Sequence, residues 1–135
     1  MELYENPVPF SPRKVEGVST LADEYLPMLS PDNEQIFYTR KYERKAKGDL
    51  YGTQVEEFTE SNRITLESGF NGGKALPRPF NMGDNYGGSS ISVNNKEMYI
   101  TACRPVPNGY NNCDIYVTRF TKQYNEASAK DEYIW

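Results

Sequence analysis

Two cysteines, no histidine and a surplus of carboxylates set the chemistry open to this 135-residue chain. Cys103 and Cys113 stand ten residues apart, at the end of one expected strand and the start of its neighbour. Antiparallel neighbours would bring them within bridging reach. A disulfide is the expected state. It would contribute about 2–3 kcal/mol by closing a short loop, and it implies an oxidising compartment. Free buried thiols are the alternative. A metal site would need further ligands, and no His or third Cys supplies them. The missing histidine also removes the commonest general base. Neither a Ser-His-Asp nor a Cys-His site is buildable from this chain alone.

The carboxylates point to structure more than to catalysis. Asp49 and Asp114 each sit in a Gly/Cys-Asp-Leu/Ile-Tyr element, with Tyr51 and Tyr116 two residues on. Such an Asp typically accepts turn or neighbouring-strand hydrogen bonds. Calcium would need a denser oxygen-ligand loop. Asp23-Glu24 and Asp84 admit the same two readings. Spacing alone does not decide whether a carboxylate pair serves glycoside hydrolysis. Gly72-Gly73 and Gly87-Gly88 read as turn material, not as a phosphate-binding loop. No catalytic residue, metal or cofactor is assigned.

The elements that would position these residues repeat. Leu29–Thr39 aligns with Ile91–Thr101 at an offset of 62, and Gly48–Tyr51 echoes Cys113–Tyr116 at an offset of 65. Self-similarity at a fixed spacing marks a repeat architecture, whose units bury apolar faces only by stacking. Two units are few for such a fold, so the expectation is a piece of a larger array.

Each copy reads as strands. Asp23–Leu29 and Gln35–Arg40 flank a Ser-Pro-Asp-Asn-Glu turn, which makes a hairpin. Asn33 and Asn95 take the place where positive φ is needed, and Asn tolerates it best after Gly. Lys41–Lys47 is expected to be a solvated loop and Asp49–Glu57 a strand. Phe58–Leu76 reads as a long polar insertion. Asp84–Gly88 forms a turn cluster, Ser89–Val93 and Glu97–Cys103 the second hairpin, and Cys113–Phe120 a further strand. Gln123–Lys130 is expected to be a short helical turn, and Tyr133-Ile134-Trp135 looks like the start of another strand. The expected divisions are an extended linker over 1–14, a first unit over 15–57, the insertion over 58–76, a second unit over 77–122 and a connection over 123–135.

Ile36 and Tyr38 point to one side of their strand, Phe37 and Thr39 to the other, and Met98 and Ile100 oppose Tyr99 and Thr101 in the same way. Apolar residues on both faces suit a sheet sandwiched between neighbours. The apolar share of 37% is modest, but an aromatic share of 13% supplies bulky side chains with polar tips that fit half-buried strands. The charge balance is 15 basic against 19 acidic residues with no basic stripe, so nucleic acid is not an expected partner. No apolar run reaches the ~20 residues of a membrane span. Met1–Phe10 lacks the basic start and apolar stretch of a signal peptide. Arg40, Tyr86, Arg104 and Tyr110 fall in or beside expected loops and are candidate binding residues, because loops on a rigid scaffold carry binding and Tyr and Arg are favoured there.

The elements Ser30–Thr39 with Gly48–Tyr51, then Phe80–Gly88, Met98–Arg104 and Asn112–Val117, resemble the PD40, or WD40-like, β-propeller repeat of TolB-type propellers. The second copy is similar to cysteine-bearing PD40 repeats of Bacteroidetes envelope proteins. There the propeller often follows TPR helices and precedes an OmpA-like peptidoglycan-binding domain, and one such protein belongs to the type IX secretion machinery. The resemblance spans roughly residues 15–120. It implies an all-β fold, about two blades of a larger propeller. It implies a non-catalytic scaffold for envelope protein partners, periplasmic and outer-membrane associated, with any peptidoglycan contact made through domains absent here. Two other classes remain open: a propeller attached to a peptidase, marked downstream by Gly-x-Ser-x-Gly, and a glycan-binding module using exposed aromatics.

Overall fold

The chain is all-β. A computed structural model describes residues 9–83 and 85–135. The expectations for residues 1–8, within the linker over 1–14, and for Asp84 lie outside the described residues. The first sheet runs β1 (Asp23–Leu29), β2 (Gln35–Arg44), β3 (Thr53–Asn62) and β4 (Lys74–Ala75), in that order and antiparallel throughout. The second runs β5 (Asn85–Ile91), β6 (Glu97–Pro105) and β7 (Asn111–Arg119). A separate hairpin pairs β8 (Thr121–Asn125) with β9 (Lys130–Ile134).

The β1–β2 and β5–β6 hairpins are built alike. Asn33 and Asn95 have φ of 62° and 57°, the left-handed values anticipated for them. The Ser30 hydroxyl donates to Asp32 and receives the Gln35 amide; Ser92, Asn94 and Glu97 reproduce both bonds. Asp32 and Asn94 accept the amides of Glu34 and Lys96. Both hairpins also slip register once in their first strand, at positions one residue apart when aligned at the offset of 62. The shift falls between Tyr25 and Met28 in one and between Tyr86 and Ser89 in the other. Each bulge leaves the ladder locally unpaired and bends its strand. Replacing Asn95 with Ala is expected to cost about 1–2 kcal/mol, since Ala resists the left-handed conformation. Asn95→Gly should recover the backbone part only. Urea midpoints of the two variants test this.

The second echo is not structural. Gly48–Tyr51 lies in the loop between β2 and β3, and β3 begins at Thr53. Asp49 there closes a turn by accepting the Ala46 amide, while Asp114 sits inside β7 and accepts from Asn112. Strand pairing gives the true correspondence. Gln35 faces Asn62, and Glu97, its equivalent at offset 62, faces Arg119. Phe58 therefore matches Ile115, Thr59 matches Tyr116, and Glu60 matches Val117. The β2–β3 loop is longer than the β6–β7 loop, which is what displaced the sequence alignment.

Other boundaries moved for related reasons. Lys41–Arg44 continues β2, because its register partners on β3 run without a break. Phe58–Asn62 is strand rather than insertion, and Phe58 lies in the core. Asn85–Gly88 is a bulged strand instead of a turn. Residues 123–130 form no helical turn: β8 and β9 pair across a turn in which Ala129 has φ of 54°.

The core lies between the two larger sheets. Phe37 and Phe58 from the first meet Tyr86, Met98, Ile100 and Ala102 from the second. Phe58 stacks on Phe37 at 6.0 Å and on Tyr86 at 5.9 Å between ring centroids. Such pairs add about 0.5–1.5 kcal/mol beyond the area they bury. Two polar clips fix the stacking. The Thr39 hydroxyl lies 3.2 Å from the Gly87 carbonyl oxygen, to which it donates. The Asn95 amide donates to Asp32 at 2.7 Å, joining the two equivalent turns. Asn81 braces the far side: its carbonyl accepts the Phe58 amide while its NH2 donates to the carbonyls of Phe58 and Leu76.

The opposite face of the first sheet is capped by the chain itself. Val18 buries Ile36 and Tyr38, with Phe70 packed beside them. Gly17, at φ 83°, leaves no room for a Cβ because the Phe70 carbonyl lies against it.

Candidate interaction surface

The outer face of the second sheet has no such cap among the described residues. Its residues are the equivalents of those that receive the second sheet on the first. Tyr99 stands for Phe37, Thr101 for Thr39, Ile115 for Phe58 and Val117 for Glu60. Phe37 is 0% exposed, but Tyr99 is 45% and Ile115 75% exposed. The side chains lie in register: Tyr99 opposite Val117, Thr101 opposite Ile115 and Cys103 opposite Cys113. One apolar face of the pair is thus used and its repeat equivalent is open to solvent. Contiguous exposed apolar surface of this kind marks interaction sites.

The cysteines close the far end of this face. Their sulfurs are bonded at 2.09 Å across the directly paired positions of β6 and β7. The anticipated disulfide is present, and it is chemistry that persists in oxidising compartments. It staples the 106–110 loop, from which Tyr110 projects exposed. Arg104 lies over the Tyr116 ring at 4.6 Å on the other face of the same hairpin. These two candidate binding residues are brought to one hairpin end.

The other two are structural. Arg40 donates to Glu24 at 3.0 Å, to the Tyr38 hydroxyl and to the Val18 carbonyl, so it ties the cap to the sheet. Burial raises the pKa of the Glu24 carboxyl, but bonds from Thr20 and Arg40 outweigh it and the net shift is downward. Tyr86 is a core residue whose hydroxyl accepts the Asn81 amide. Among the repeat residues, Asp32 and Asn95 join the units, Asn33 shapes its turn, Asp49 and Tyr51 stay in a loop, and Asp114 and Tyr116 lie on β7. Sequence reading missed the open face because each of its residues looks ordinary alone. Only the β3-to-β7 correspondence identifies it.

A cavity of 230 Å³ between the first sheet, the 76–80 segment and the end of β9 is lined by Glu60, Leu76, Phe80, Phe120 and Trp135, among others. Burial pushes the Glu60 carboxyl upward, against the opposing pull of Lys74. A carboxyl with a raised folded pKa penalises folding above that pKa and stops doing so as pH falls to its unfolded value. Glu60→Gln is therefore expected to stabilise the protein at pH 7 and to lose that advantage near pH 4. Urea unfolding at the two pH values checks it; an advantage equal at both would contradict it. Among the described residues no group of three His, Cys, Asp or Glu side chains could hold a metal ion. No described helix is long and apolar enough to cross a membrane.

No family model matches the chain, and neither a curated protein nor a solved structure matches it.

Proposed function

We propose that this chain is a non-catalytic β-propeller scaffold of the PD40 type, contributing about two blades, that docks protein partners in the bacterial periplasm at the outer membrane. The observation that carries the reading is the asymmetry of the two sheets. They share the turn, a bulged first strand and the order of their first three strands, yet one presents a covered docking face and the other an open copy of it. Meandering antiparallel sheets stacked face to face are how propeller blades pack. The Cys103–Cys113 bond supports an extracytoplasmic setting. Type IX secretion or outer-membrane assembly is the setting that the resemblance suggests, and peptidoglycan association would come through other domains. A cross-linked pull-down from bacterial envelope extract, with mass-spectrometric readout, tests the role. Enrichment of secretion or outer-membrane components is the expected result. A blank, or capture of cytosolic proteins alone, would overturn it.

A further inference from the structure

The two larger sheets end in strands of very different character. β1 carries Pro27, a register shift and Leu26 at φ 53°. β4 is two residues long. β5 is bulged and lies against β1, β2 and β3. Proline, bulges, shortness and cover are the usual protections of a sheet edge. β7 has none of them. It runs nine residues, pairs with β6 in one unbroken register, contains no proline, and is exposed along almost its whole length. Its only charged residues are Asp114 and Arg119. Among the described residues no other strand approaches it.

The first sheet covers the equivalent edge. Lys74 and Ala75 pair antiparallel with Glu60 and Thr59, and the Leu76 amide donates to the Phe58 carbonyl at 2.9 Å. Leu76 then packs into the core beside Phe58. Carried to β7, those partners are Val117, Tyr116 and Ile115.

We propose that the β7 edge docks an extended strand of a partner polypeptide, antiparallel, with an apolar–small–apolar run set opposite Val117, Tyr116 and Ile115. Val117 stands where Glu60 holds Lys74 in the first sheet, so the incoming residue there is apolar rather than basic. Main-chain bonds to the bare edge give affinity, and the alternate side chains reading Ile115 and Val117 give selectivity. This deepens the scaffold reading by naming how a partner binds, and it rests on that reading.

The test uses the full chain with its disulfide intact and a synthetic peptide of residues 72–81 carrying Lys74→Val. Hydrogen exchange by mass spectrometry reports the β7 amides. At saturating peptide the exchange of 111–119 is expected to slow about tenfold or more, as a bound-to-free ratio of ten requires. A Leu76→Asp version of the peptide should give no protection, and neither should the first peptide with Ile115→Lys protein. The proposal is overturned by absence of β7 protection up to the peptide's solubility limit, or by equal protection from the Leu76→Asp peptide. Protection that depends on protein concentration without peptide also overturns it, because β7 then pairs with a second copy. Each of these failures leaves the pull-down result, and so the scaffold reading, standing.

Discussion

Phe37→Ala is expected to lower the unfolding free energy by about 3–5 kcal/mol, the usual cost of emptying a buried aromatic site. Phe37 is fully buried, stacks on Phe58 and meets the edge of Trp135 at 6.1 Å. Its loss opens a void between two sheets whose spacing the side-chain clips at Thr39 and Asn95 fix, so little collapse is available to offset it. Tyr99→Ala, at the matching position of the second repeat, should cost less than about 1 kcal/mol, as surface changes generally do. The same element in the same register thus gives unequal costs because only one copy is covered. Urea unfolding of the two variants measures the difference. Equal costs would mean that the Tyr99 face is buried in solution and that the open-face account is wrong.

Replacing Cys103 and Cys113 together with serine is expected to cost about 2–3 kcal/mol, from the freedom returned to a short loop in the unfolded chain. The bond joins directly paired residues at the far end of β6 and β7, and β7 has no other neighbour among the described strands. The loss should therefore show first as faster amide exchange over 105–113, ahead of global unfolding. Adding reductant to the wild-type protein should reproduce it. If mass spectrometry of freshly purified protein found two free thiols, both the prediction and the inferred oxidising setting would fall.

Much of the local structure was legible in the residues. The Ser-x-Asp/Asn-Asn turns, the positive φ at Asn33 and Asn95 and the cysteine pairing follow from short-range chemistry, and each is as expected. Long-range pairing was not legible. The Asp-Leu/Ile-Tyr echo suggested matching strands, but Asp49 and Tyr51 lie in a loop whose length no local signal sets. Phe58–Asn62 looked polar enough to be an insertion, although Phe58, Thr59 and Ser61 are buried by partners far along the chain. The Gln123–Lys130 segment reads as a short helical turn, yet the pairing of β8 with β9 overrides it. For the candidate surface, Arg104 and Tyr110, chosen by type and place, lie at one end of the β6–β7 hairpin. The ion pair of Arg40 with Glu24 and the burial of Tyr86 in the core have no local signal in the sequence.

The most direct measurement of the scaffold account is photo-cross-linking in envelope extract, with a photoreactive phenylalanine placed at position 99, 115 or 50. Tyr99 and Ile115 lie on the open face, while Leu50 is an exposed residue in the β2–β3 loop. The account predicts adducts to the same protein partner from positions 99 and 115 and none from position 50. Adducts from position 50 alone, or no adduct from either face position, would contradict it.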